Sequence, residues 1–309
     1  MTAAVSEVAP GLTIGLVVGN ESRATIEHLE TQAIDSLWAG GHIAANTPGS
    51  EAMGSLIRLG ALTERVRVGT AILLLPLYPP AIVAKQVGDL DLLTGGRVTL
   101  GVGIGGEYPQ EFRACDVPRS ERGRRTDEAI SLLRRLWTGE PVTHHGRFYP
   151  MEEVQLHPAP LRPPPIVVAG RQEPAMRRAA LLGDGWMPYL YSARRYAEST
   201  LTIRQYAMEA GRDLHDFEWY AYLFVNCDPD GDRAKNAAAG HLGGAYGQDL
   251  NEMIEKVAVV GTPDRCVERI QEYVDAGARH LVFYVASSDD KNLTRRRLLD
   301  EVLPRIVVP

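Results

Sequence analysis

The chain has 309 residues, 45% of them hydrophobic, with a formal net charge of −6; that is enough to bury one large barrel or two smaller cores. The acidic balance offers no basic face of the kind nucleic-acid binders concentrate, so no nucleic-acid partner is expected. Cys115, Cys227 and Cys266 form no C-x-x-C pair, which argues against a disulfide framework or a thiolate zinc site and fits a reducing cytoplasm. The start, MTAAVSEVAPGLT, lacks a basic segment followed by an apolar one, and no run approaches the ~20 apolar residues of a membrane helix.

In chain order, Leu12–Val18 reads as a strand, Ala24–Gln32 as a helix, Ser36–Ala39 as a short strand and Glu51–Leu62 as a helix. Val66–Leu75 and Val98–Val102 are apolar, β-branched runs of the length of parallel strands covered on both faces. Between them Pro80–Leu93 reads as a crossover helix. Ile82, Val83, Val87, Leu90 and Leu93 recur at helical spacing, Pro80 suits a first turn and Gly95-Gly96 the exit. Arg119–Arg125, a basic cluster, reads as the solvated start of a helix spanning Thr126–Leu136. Val142–Tyr149 reads as a hairpin turning at Gly146. Ile166–Ala169, helix Pro174–Leu182 and a strand around Trp186 repeat the β-α-β theme. Arg194–Ala210 is helical, Trp219–Cys227 a strand, Ala234–Ala239 the start of a helix, Pro263–Ala276 a helix, His280–Val285 a strand and Leu293–Leu303 a closing helix. Residues 226–260 read as an enlarged loop region. About eight strands, each followed by a helix, give a single (β/α)8 TIM barrel over residues 1–309, with loop insertions at the C-terminal face and no linker.

In such a barrel chemistry sits at the carboxyl ends of the strands, and four ends here are unusual. Trp38-Ala39-Gly40-Gly41-His42 combines glycines, which allow backbone to approach a planar group, with a histidine. At Gly69-Thr70-Ala71-Ile72 an apolar strand must stop and bend. Gly101-Val102-Gly103-Ile104-Gly105-Gly106-Glu107 satisfies G-x-G-x-x-G by letter. However, Pro109 interrupts the residues that should open a helix and no acidic residue ends a strand some twenty positions later, so it reads as a glycine floor under a flat ring, with Glu107 projecting from it. Val168-Ala169-Gly170-Arg171-Gln172-Glu173-Pro174 is a strand, a turn glycine, an arginine and a helix start, which suits a phosphate. Together these ends suggest a phosphorylated, flat cofactor across the barrel mouth.

Asp35-Ser36-Leu37-Trp38, the Gly69–Pro80 segment, Asp91-Leu92-Leu93-Thr94-Gly95-Gly96-Arg97-Val98, Gly183-Asp184-Gly185-Trp186-Met187-Pro188, Gly261-Thr262-Pro263 and Ala276-Gly277-Ala278 are similar, in this order, to the bacterial luciferase-like superfamily. The resemblance covers nearly the whole chain. It implies a (β/α)8 barrel, often homodimeric, that binds FMN or the deazaflavin coenzyme F420. It also implies a non-prolyl cis peptide at Ala71-Ile72 behind the cofactor ring, a catalytic histidine at His42, an acidic residue near the reacting ring at Glu107, and a phosphate turn at Gly170 and Arg171. Gly41, Thr70, Ala71, Ile72, Gly103, Gly105, Gly106, Ala169, Gly170, Arg171 and Gln172 are the cofactor contacts this implies.

The luciferase type carries an arginine in its glycine-rich strand end, where this chain has Gly105-Gly106-Glu107, which favours coenzyme F420. Deazaflavin enzymes usually carry an acidic residue immediately before the histidine, where this chain has Gly41. The implied reaction is hydride transfer between a small or medium-sized organic substrate and the deazaflavin, with His42 or Glu107 moving the proton. The alternative is a two-component monooxygenase using FMN reduced by a separate reductase, and a third reading is a flavin binder without turnover. A metal-dependent hydrolase on this barrel commonly carries an H-x-H pair on its first strand; Leu12–Val18 has no histidine. Loops Ala44–Gly49, Tyr189–Arg195 and Gly240–Asn251 are expected to wall the substrate pocket, with Tyr189, Tyr191 and Tyr246 as aromatic surface. Their few basic residues argue against a sugar phosphate.

Overall fold

Largely apolar runs of three to ten residues pair edge to edge in the computed structural model, which describes residues 9–45, 49–246, 253–287 and 290–309. In order the elements are β1 (Thr13–Val17), α1 (Arg23–Glu30), β2 (Ser36–Ala39), α2 (Ala52–Leu62), β3 (Arg67–Thr70), β4 (Leu73–Leu74), α3 (Pro80–Thr94) and β5 (Val98–Gly103). Next come α4 (Pro109–Ala114), α5 (Arg122–Leu136), β6 (Val142–His144), β7 (Met151–Val154), β8 (Ile166–Ala169), α6 (Glu173–Leu182) and β9 (Gly185–Met187). The chain continues through α7 (Ala193–Glu209), β10 (Glu218–Cys227), α8 (Gly231–Tyr246), α9 (Ile254–Val257), β11 (Val259–Gly261), α10 (Pro263–Asp275), β12 (His280–Val285) and α11 (Lys291–Arg297).

Eight strands close on themselves in the order β1-β2-β3-β5-β8-β9-β10-β12 and back to β1, every pairing parallel. With helices between the strands this is the (β/α)8 barrel. β3 and β10 stand four strands apart whichever way the ring is followed, so they face each other across its interior. Val17, Trp38, Val167, Met187, Tyr220 and Val282 fill that interior, with Ala71, Tyr222 and Tyr284 packed on them. The opposite faces of the same strands, such as Ala221, Leu223 and Val225 of β10, pack under the helices, as the two-residue period of a strand requires. At the amino-terminal end, Arg67 donates to Glu218 and to Thr99, both at 2.8 Å, and the Tyr220 hydroxyl donates to Glu218 at 2.6 Å. Among the described residues no helix is long and apolar enough to cross a membrane, and no group of His, Cys, Asp and Glu could hold a metal ion.

Four expectations need correction. The run Val66–Leu75 is not one strand: it breaks at Ala71-Ile72 and resumes as β4, pairing with Val102 and Gly103. Pro109 opens a helix rather than preventing one, because a first-turn position needs no backbone donor. The hairpin's second strand lies beyond the turn at Gly146, starting only at Met151. Residues 226–260 are not mainly loop: they hold the 16-residue helix α8, and β11 adds to the carboxyl end of β10. Cys227 and Cys266 are both buried, and the Cys266 thiol donates to the Gly261 carbonyl at 3.7 Å.

Candidate functional site

The four strand ends converge at the carboxyl face, and the break between β3 and β4 is the piece the others are fitted to. The Ala71-Ile72 peptide is cis. A Cβ at Gly103 would overlap the Ile72 Cδ1 atom, and one at Gly40 would overlap the Ala71 carbonyl oxygen. Glycine at these two positions is therefore what lets β5 and β2 close against the break, and Ile72 is wedged behind the site. Thr70 is fully buried and its hydroxyl donates to the Gly101 carbonyl at 2.7 Å, so it ties β3 to β5 rather than facing the mouth. The backbone of Gly41 abuts Ser50 and Ala52. The chain itself occupies the room that this glycine leaves.

His42, at the end of β2, is held by a residue the sequence did not single out. Glu111 of α4 is completely buried. Its carboxylate accepts the amide N–H groups of Ile43 at 2.6 Å and Ala44 at 3.2 Å, and both oxygens lie 3.2 Å from His42 Nδ1. Gln110 donates to the Ala44 carbonyl at 2.8 Å, and the Tyr108 ring meets the imidazole edge to face at 4.8 Å. The carboxylate fixes the proton of a neutral imidazole on Nδ1 and leaves Nε2 as the acceptor. About a third of the His42 side chain is exposed. The only sequence signal was a Glu two residues after Pro109, which is weak on its own because the helix that aims it is six residues long.

The glycine floor continues through Gly105 and Gly106, both with positive φ, to an exposed Glu107. Glu107 accepts the Tyr189 hydroxyl at 2.8 Å, and the Arg171 guanidinium lies over the Tyr189 ring at 4.8 Å, donating to the Leu190 carbonyl at 3.3 Å. Burial, with the nearby Glu107 charge, pushes the Tyr189 phenol up to about 12. Glu107 and Arg171, read as separate strand ends, are thus joined through one tyrosine. Ala169 is buried at the end of β8, the Gly170 carbonyl accepts the Trp186 indole N–H at 2.9 Å, and Gln172 caps α6 from an exposed position. Tyr191 is buried, its hydroxyl paired with Ser199, so it is packing rather than pocket wall. Residues 46–48 and 247–251 of the expected substrate loops, and the Tyr246 side chain, lie outside the described residues.

Arg119–Arg125 is not simply a solvated helix start. α5 begins inside it at Arg122. Arg119 Nε and Arg122 Nε stand 3.4 and 3.5 Å from where a Cβ on Gly106 would sit. Arg122 Nε is buried with no partner, while another nitrogen of its guanidinium donates to the Arg119 carbonyl at 2.8 Å. A buried guanidinium N–H without an acceptor, at the rim of a glycine floor, fits an anion such as a phosphate. The residues present therefore fit a flat, phosphorylated group: the floor and Ile72 for its ring, and Arg119 and Arg122 for its charge.

A (β/α)8 barrel with a glycine floor and unpaired guanidinium charge at its carboxyl face is built to hold a flat, anionic ligand over the strand ends. The profile of the luciferase-like monooxygenase family matches residues 4–280, and the chain belongs to that family. It is 33% identical over 306 residues to an F420-dependent glucose-6-phosphate dehydrogenase of Beutenbergia cavernae, covering 90% of each chain. An uncharacterised protein of Mycobacterium tuberculosis is 46% identical over 129 residues, 42% of this chain and 44% of that one, so the chain spans less than half the length of that relative. In three dimensions an F420-dependent secondary alcohol dehydrogenase, seen in complex with an F420-acetone adduct, aligns with a TM-score of 0.84 at 21% identity, covering 95% of this chain and 98% of that one. That likeness establishes the fold.

Proposed function

We propose that this protein transfers a hydride between an organic substrate and coenzyme F420 bound over the Ala71-Ile72 break. The observation that carries the reading is the Glu111–His42 pair at the end of β2. It places a carboxylate on the histidine from α4, although the position before the histidine is Gly41. A bound deazaflavin supplies two-electron hydride chemistry.

The protein's residues do the rest. Ile72 backs the ring, Gly103, Gly105 and Gly106 form its floor, and Arg119 and Arg122 hold the phosphate, with Gly170 and Arg171 flanking it. His42 Nε2, turned to the acceptor role by Glu111, takes the substrate proton. Glu107 accepts the Tyr189 hydroxyl at the rim. Likeness to an F420-dependent dehydrogenase over nine-tenths of both chains supports the cofactor.

The working form is a homodimer in the cytoplasm, served by a separate enzyme that returns the cofactor to its starting redox state. Exposed Ile57 and Ile82 on the neighbouring helices α2 and α3 support an association surface there.

The test is a titration of the purified apoprotein with F420 and, separately, with FMN, followed by quenching of each cofactor's fluorescence. Tighter binding of F420 is the expected result. Preference for FMN would make the protein an oxygenase component supplied by a flavin reductase.

A further inference from the structure

The wall opposite the cofactor break carries a substrate signature of its own. β10 faces β3 across the ring, and its inward residues rise from Tyr220, stacked on His280, to Tyr222 and Phe224 at the mouth. Beside it β12 presents Tyr284, whose ring lies 6.5 Å from that of Tyr222, nearly parallel at 24°, and meets Phe224 edge-on at 5.5 Å. Ala71, the first residue of the break, packs on the same interior cluster as Tyr222 and Tyr284. A flat group resting on the break therefore turns its free face to this aromatic wall. The wall carries a polar contact at its rim, the Tyr284 hydroxyl 3.1 Å from His241 Nε2 of α8. Burial, followed by the nearby Lys291 charge, holds the His241 imidazole below its usual range, so it stays neutral.

The arginines behind this wall are engaged by carboxylates. Arg233 and Arg297 both pair with Asp228, at 2.6 and 2.9 Å, and Arg295 pairs with Glu21 at 2.5 Å. Residues 1–8, 46–48, 247–252 and 288–289, which lie outside the described set, contain neither Lys nor Arg. Among the described residues, Lys291 is the cation that acts on the His241 imidazole. One lysine is a poor match for a phosphate dianion, which guanidinium forks or several cations normally hold.

We infer that this wall binds an uncharged, ring-bearing alcohol or its ketone, not a sugar phosphate. The ring lies against Tyr222 and Tyr284, and the oxygen is hydrogen-bonded at the Tyr284–His241 pair. The inference rests on the proposed F420 chemistry for its reaction. The carbinol carbon loses a hydride to the oxidised deazaflavin and the hydroxyl proton passes to His42. The alcohol is oxidised by two electrons to the ketone and the deazaflavin is reduced by two. Binding to the wall itself requires no turnover.

Isothermal calorimetry and saturation-transfer NMR, on apoprotein and F420-loaded protein, test it with cyclohexanone and glucose-6-phosphate as probes. Cyclohexanone should bind both forms and glucose-6-phosphate neither. Tyr284→Ala should weaken cyclohexanone tenfold or more, and Tyr284→Phe less, with F420 affinity unchanged in both as proof of an intact barrel. Lys291→Gln should leave cyclohexanone binding as it is. Glucose-6-phosphate binding that disappears in Lys291→Gln would overturn the inference, as would failure of cyclohexanone to bind or indifference of its binding to Tyr284→Ala. Cyclohexanone binding with no F420 binding would instead sink the cofactor reading and leave this wall standing.

Discussion

Replacing Glu111 by Gln changes one atom and reverses what His42 can do. The carboxylate accepts two backbone amides and the His42 Nδ1–H from a fully buried position. In Glu111→Gln the carbonyl oxygen stays with the Ile43 and Ala44 amides, so the new NH2 group faces Nδ1. A donor at one of the two positions facing Nδ1 disfavours a proton there and shifts the imidazole toward the form that carries it on Nε2. Stability falls by roughly 1–2 kcal/mol, because the retained bonds lose only their charge assistance. Against a typical total of about 5–15 kcal/mol the variant stays folded. Glu111→Ala instead removes the acceptor of two part-buried amides and empties a fully buried site, and should cost more, about 2–4 kcal/mol.

Urea unfolding separates the two costs, and nitrogen NMR of histidine-labelled protein reads the tautomer directly. The expected pattern is a protonated Nδ1 in the parent and a protonated Nε2 in Glu111→Gln. An unchanged tautomer, or equal stability losses for Gln and Ala, would refute the assignment of Glu111 as the residue that positions His42.

Other consequences can be checked independently. Arg122→Met should weaken F420 ten- to a hundredfold, about 1.4–3 kcal/mol, while Arg171→Ala, whose guanidinium already rests on Tyr189, should cost less; fluorescence titrations that rank them the other way would return the phosphate to Arg171. Glu107→Gln should lower the Tyr189 phenol from about 12 without bringing it to an ordinary tyrosine value, since burial remains, and spectrophotometric titration of phenolate would show this. It should also slow turnover with little change in F420 affinity if Glu107 shares in proton transfer.

Arg67→Met tests the amino-terminal plug. Burial alone would raise the Glu218 carboxyl, but Arg67, with the Tyr220 hydroxyl and His280, holds the group below its usual range. That contribution is fully present above the unfolded carboxylate value of about 4.3 and is lost as pH falls through the lower folded value. Arg67 is over a third exposed, so the loss at neutral pH should be about 1–2 kcal/mol. Urea unfolding should show Arg67→Met losing part of the parent's acid-side slope. An identical slope would mean that the pair does not hold Glu218 down.

The barrel was legible because its strands announce themselves one at a time. Ser36–Ala39, Ile166–Ala169 and His280–Val285 need only a run of apolar residues between turn signals, and their bounds coincide with those observed. Their carboxyl ends were legible for the same reason, which is why His42, Ala71-Ile72 and the glycine floor fell where they did. Glu111 and Arg122 were not legible because their roles depend on contacts across the fold. Glu111 reaches 69 positions back to His42, and Arg122 returns to Gly106 only after α4 and a further turn reverse the chain. β11 was missed because three residues, Val259–Gly261, are too short to show a period. The wall of Tyr222, Phe224 and Tyr284 looked like ordinary strand alternation until ring closure set β10 against β3.

That opposition separates two jobs that many enzymes entangle. In a closed barrel the distance between facing strands follows from the strand count and tilt, so the slot between the Ala71-Ile72 break and β10 has a width set by the whole ring and not by any loop. Everything that grips the cofactor in the proposed arrangement belongs to β2, β3, β5, β8 and the helices after them. The facing surface belongs to β10 and β12. A new substrate can therefore be accommodated by exchanging side chains such as Tyr222, Phe224 or Tyr284 while the redox machinery stays untouched, and a longer or shorter mouth loop alters access to the slot without altering its gauge.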